Sequence, residues 1–168
     1  MGTGLSLITE YALGGLIFWS TLVVGFFLSS IFPAELLTNL SPILTGLVLI
    51  GSPFVYLTGL LIDILGNEVL QLIKIERNLG SDNYNKIVVN GSNSAKDRVR
   101  GFESTKRFLR ISFISFLINV VIFLITGCIT NQPLLFCFTI IALFIGILSF
   151  TGYLMIKQKY EAVLEQLS

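Results

Sequence analysis

Apolar residues in this chain fall into four long runs that are almost free of charge, and between the second and third lies a polar stretch. The first run covers about 11–31, the second 43–65, the third 108–130 and the fourth 134–156. A bilayer-crossing helix needs roughly 20 such residues, so each run is long enough to span. The pattern predicts an all-α membrane protein with four transmembrane helices arranged as two hairpins, residues 1–65 and 108–156. A helical insert, 66–107, joins the hairpins, and a tail, 157–168, follows the last run.

The connections carry the local signals for this division. Pro33 helps end the first run, and Ser41 followed by Pro42 reads as an N-cap and first helical position. Pro53, inside the second run, marks a bend point. The residues Thr130-Asn131-Gln132-Pro133 form a tight turn between the third and fourth runs. In the insert, residues 67–77 continue the second helix toward a turn at 81–83, and 86–89 reads as a short extended piece. Ser94 with Asp97 resembles a capping box that starts a helix running straight into the third span, with Gly101 as its weak point. An insert of this size, with few large apolar groups, has too little to bury for a core of its own.

Charge fixes the expected orientation. The chain is 54% hydrophobic and 12% charged, against about 25% charged in ordinary globular domains. Nine of the eleven Lys and Arg residues lie between Asp63 and Arg110, and the other two are Lys157 and Lys159. All eleven fall on one side of a four-span topology, so the positive-inside rule places both termini and the insert in the cytosol. No basic residue precedes the first run, so the signature of a cleaved signal peptide is missing and the run is expected to stay in the mature protein. A prokaryotic inner (plasma) membrane is the expected location.

Polar positions inside the runs are the candidates for function. The second run carries Thr45, Ser52, Tyr56 and Asp63 at helical spacing, with Gly59 and Gly66. The third carries Ser112, Ser115, Asn119 and Thr126. In lipid such stripes either line a water-filled path or bind helices together, because an unpaired amide at mid-membrane is costly. Asp63 lies at the same depth as Arg107 and Arg110, which makes an ion pair across two helices the expected arrangement. Small residues four apart (Thr21, Gly25 and Ser29; Ala142, Gly146 and Ser149), with Gly14 and Gly15, allow close helix approach and point to a homo-oligomer.

Lys96, Arg98, Arg100, Lys106 and Arg107 offer contacts to anionic lipid headgroups, to a phosphate-bearing ligand or to an acidic cytosolic protein; as a plain topology signal they need no ligand. The patch is too short and too poor in aromatics to suit nucleic acid. With no histidine, no phosphate-binding loop and no nucleophile motif, no catalytic residue is expected. Cys128 and Cys137 are too few and too apolar in setting for a zinc site or a disulfide framework, and neither metal nor cofactor is expected.

Two readings follow. The first is a homo-oligomeric channel or pore component gated through its cytosolic insert. In architecture it resembles small prokaryotic membrane proteins encoded beside cytosolic partners, including effectors of anti-phage defence. The alternative is a non-conducting membrane anchor, sensor or scaffold for a soluble cytosolic partner. The lipid bilayer is a partner in either case.

Overall fold

The computed structural model describes residues 2–29, 44–73 and 92–167, and among them every regular element is an α-helix. In chain order these are α1 (Gly2–Leu28), α2 (Leu44–Leu72), α3 (Asn93–Thr130) and α4 (Pro133–Leu167). All four are long and apolar enough to cross a membrane. The cap at Ser41 and Pro42, the turn at 81–83 and the extended piece at 86–89 lie outside the described residues.

The helices run past the apolar stretches that define them in sequence. α1 begins at Gly2 rather than near Tyr11, and α2 continues through Pro53 without ending there. α3 starts at Asn93, and its N-cap is Ser92, not Ser94. Ser92 holds an extended backbone (φ −64°, ψ 158°) and its hydroxyl accepts from Ala95 N at 3.3 Å. Ser94 is already helical, so the satisfied amide belongs to the third helical residue after Ser92, as an N-cap requires. The helix passes through Gly101 unbroken.

α4 also absorbs the expected tail. Residues 157–167 are good helix formers, and Tyr160, Val163 and Leu164 recur at helical spacing. Val163 and Leu164 pack with Val99 of α3, and Tyr160 joins Ala95 and Phe102 at the edge of that cluster. At 1.5 Å per residue, 38 residues make α3 about 57 Å long. A hydrocarbon core is only about 30 Å thick. The start of α3 and the end of α4 therefore form a two-helix stalk with its own small core.

Between α3 and α4 the chain reverses within two residues. Asn131 closes α3 in the left-handed conformation (φ 56°), which asparagine tolerates better than most residues. Leu135 N then bonds to Gln132 O at 3.2 Å to start α4. The two helices lie antiparallel, with Phe123 beside Phe138 near the turn and Phe113 against Phe150 farther along, ring centroids 4.8 Å apart in the latter pair.

α3 is the central helix. It packs on α1, α2 and α4, whereas α2 and α4 do not touch among the described residues. Ile62, Ile111 and Ile114 bring α2 and α3 together, with Tyr11 and Phe18 of α1 at the edge. Leu22, Phe123 and Leu135 do the same for α1, α3 and α4. The opposite surfaces, such as Phe54, Leu61, Ile140 and Phe144, are exposed apolar side chains, as a lipid-facing surface requires.

Glycines set the closest approaches. A Cβ on Gly15 would strike the carbonyl of Val55, and a Cβ on Gly59 would strike the carbonyl of Tyr11. α1 and α2 therefore meet backbone to backbone at these two residues. Gly25 receives Phe123, and Gly146 sits against Phe116. Among the small positions read from the sequence, Gly14, Gly15, Gly25 and Gly146 thus have partners inside one chain. Gly59→Val must push α1 and α2 apart and should destabilise the fold by about 1–3 kcal/mol, as other overpacking changes do. Gly101 has nothing within 4 Å of an added Cβ, so Gly101→Ala should instead stabilise by about 0.5–1 kcal/mol. Unfolding of both variants in detergent, followed by circular dichroism, measures the contrast.

Candidate functional site

Where α1, α2 and α3 meet, at the level where the stalk leaves the apolar stretch, charged and polar side chains converge. α1 supplies Glu10 and Tyr11. Consecutive helical positions point about 100° apart, so Glu10 reaches α3 while Tyr11 reaches α2. α2 supplies Asp63 and, one turn on, Asn67. α3 supplies Ser104, Arg107 and Arg110, whose three-residue spacing keeps them on one face.

Arg110 is the centre of the buried part. Its Nε and Nη2 both donate to Asp63 Oδ1, at 2.9 and 2.7 Å, and its Nη1 donates to Asn67 Oδ1 at 3.1 Å. The Tyr11 hydroxyl donates to the other Asp63 oxygen at 3.3 Å. Arg107 lies one turn away. It donates to Glu10 Oε2 at 3.2 Å and to Glu103 Oε1 at 3.1 Å, with Asp63 Oδ2 at 4.0 Å from its Nε. Ser104 Oγ donates to the remaining oxygen of Glu10. Glu10, Asp63 and Arg110 are 7–8% exposed.

All four oxygens of Glu10 and Asp63 are engaged by donors. The arrangement can fix three helices in register; it does not leave a carboxylate oxygen uncommitted for proton transfer. Removing two ions from water is costly, and the attraction offsets that cost only when the geometry is good and the remaining donors are satisfied. In the Asp63–Arg110 pair each guanidinium nitrogen has an acceptor within 3.1 Å.

The chain matches no known protein family, no curated protein and no solved structure. Its function must therefore be read from these side chains.

Asp63, Arg107 and Arg110 are brought together as their common depth suggested. Glu10, Tyr11, Asn67 and Ser104 were not foreseen as members of the site. Glu10 had a legible signal, since it is an acid near the start of an apolar run at the depth of two arginines. Which way it points depends on the rotation of α1.

The polar stripe faces inward. Ser112, Ser115 and Asn119 are buried within the chain, at 0–4% exposure. Asn119 Nδ2 donates to the Phe18 carbonyl of α1 at 3.3 Å. Asn119 Oδ1 and the two serine hydroxyls meet no hydrogen-bond partner among the described residues. Thr126 is half-buried, and its carbonyl accepts from Thr130 at 2.7 Å. Tyr56 packs edge-on against Tyr11, ring centroids 5.7 Å apart. Thr45 and Ser52 lie in α2, with side chains outside the described set.

The basic positions of the stalk do not form one patch. Arg107 turns inward to its acids, and Lys106 lies 5.3 Å from the centroid of the Tyr160 ring. Lys96 is half-buried, whereas Arg98 and Arg100 are exposed. Two residues apart on a helix, these arginines point to nearly opposite sides. Cys128 and Cys137 are free thiols on the exposed surface. No group of three metal-ligating side chains is arranged for a metal ion among the described residues.

Asp63→Asn keeps the shape of the site but leaves Arg110 buried without its counter-ion, and should cost about 3–5 kcal/mol. Arg110→Met strands Asp63 and should cost a similar amount. The double variant should lose clearly less than the sum, because neither charge is then left alone. Equilibrium unfolding in mixed micelles closes this cycle, and additive losses would mean that the pair is not coupled.

Proposed function

We propose that this chain is a non-conducting integral membrane anchor that presents a two-helix stalk to a soluble protein. The observation that carries the reading is the burial of Ser112, Ser115 and Asn119 inside a single chain. A pore shared between copies would need those side chains on the outer surface, facing a common axis. The surfaces available to other copies at membrane depth are instead mainly apolar, with Phe54, Leu61, Phe144 and Ile147 all exposed.

The stalk supports the same reading. α3 and α4 pass from apolar to polar sequence without a break, and Val99, Val163 and Leu164 hold them together beyond the membrane-length portion. Continuous helices give a soluble partner a rigid mount. The ion-pair cluster lies at the base of this mount and ties in α1 and α2. The confinement of Lys and Arg to the insert, stalk and tail argues for a stalk on the cytosolic side.

Single cysteines test the reading in a Cys128→Ser, Cys137→Ser background reconstituted in liposomes. Cysteine at position 98 should react with a charged, membrane-impermeant maleimide once the stalk side is exposed to it. Cysteines at 115 and 119 should stay unmodified from either side, and the liposomes should hold an ion gradient as protein-free ones do. Modification at 115 and 119, together with loss of the gradient, would replace the anchor by the gated pore.

A further inference from the structure

α1 and α4 both lean on α3 but scarcely touch each other. Between them runs a furrow of about 270 Å³. Phe116 and Ala142 line its inner part, Ser20, Thr21 and Val24 form the α1 wall, and Ile141 belongs to the α4 wall. Along α3, Phe116 lies well inside the apolar stretch that follows Arg110, so the furrow opens at hydrocarbon depth. Its lining carries no charge. Both hydroxyls on its wall are already spent on their own helix, Ser20 and Thr21 donating to Ile17 O at 3.2 and 2.7 Å.

We propose that this furrow holds one acyl chain of a membrane phospholipid as a retained ligand bridging α1 and α4. Eight residues line it, whereas each side of a standard protein interface contributes roughly 20–30. What remains is a narrow apolar slot with no hydrogen bond to offer, continuous with the lipid-facing surface through the exposed Val24 and Ile141. A flexible hydrocarbon chain fits that chemistry, and it excludes the void that would otherwise leave Phe116 without contacts on one side.

A phosphatidylcholine carrying a diazirine in its acyl chain tests this in liposomes containing the full chain. After irradiation, adducts mapped by mass spectrometry should be enriched several-fold at Val24 and Ile141 over Phe144 and Ile147, which are exposed elsewhere on α4. Val24→Trp fills the slot from its exposed rim and should abolish that enrichment, leaving the control positions unchanged. Ala142→Phe fills it from within and should do the same; the rim variant decides the matter if this buried change impairs folding. Equal labelling at all four positions would show bulk lipid only. Disulfide-linked dimers of a Val24→Cys variant, in the Cys128→Ser, Cys137→Ser background, would show that a second copy occupies the slot. Either result overturns the proposal, and neither bears on whether the protein conducts.

Discussion

Two guanidinium groups placed where hydrocarbon gives way to headgroups constrain the rest of this fold. Arg107 and Arg110 cannot be left bare at that depth, since an unpaired buried charge costs several kcal/mol. Their acids come from elsewhere: Asp63 from α2, Glu10 from α1 and Glu103 one turn back on α3. Satisfying the arginines therefore fixes the axial position of two other helices relative to α3. Tyr11 strengthens the link because it belongs to the same turn as Glu10 yet bonds to Asp63. α1 is thereby held to both neighbours by adjacent residues, and it cannot slide along one without losing the other.

The glycine contacts gain their meaning from that register. With Tyr11 bonded to Asp63, one turn further along α1 brings Gly15 opposite Gly59, where the backbones touch. Two turns along, Trp19 Nε1 donates to Thr58 Oγ1 at 3.2 Å. Between α1 and α3 the same spacing puts Gly14 on Ile111 and Gly25 on Phe123. Shape and charge thus choose the same alignment, and such agreement is what leaves a chain with one well-separated packing. It also gives the glycines among the small positions a use within the chain.

Much of this was legible from pattern alone. Four runs of sufficient length yield four helices, and the depth match between Asp63 and the two arginines yields their meeting. Other features were not. α1 is apolar on nearly all sides, so nothing in its pattern says which way Glu10 and Tyr11 turn. Ser104 and Asn67 look like ordinary polar residues until the helices are placed. The direction of the Ser112–Ser115–Asn119 stripe is hidden for a similar reason: three polar residues on one face look alike whether they meet water or another helix. In the last helix, the change from apolar to charged residues at Lys157 marks where lipid contact should end. It does not mark the end of the helix, because Val163 and Leu164 find Val99 beyond that point.

The buried stripe itself bears on whether water is needed in the bundle. A row of polar atoms at mid-membrane depth would suggest a hydrated path if the chain had no other way to satisfy them. Hydroxyls elsewhere in the protein show how it does so. Thr21, Ser29, Thr58, Thr105 and Thr139 each donate to the carbonyl four residues earlier, at 2.7–2.9 Å. Ser112 and Ser115 are short side chains on an unbroken helix, and a turn about one bond gives each the same acceptor. Asn119 Oδ1 cannot be treated this way because it needs a donor. Among the described residues, the one bond the row makes across helices is that of Asn119 Nδ2 to the Phe18 carbonyl of α1. Buried inside one chain and bonded to α1, the stripe is placed to bind helices together.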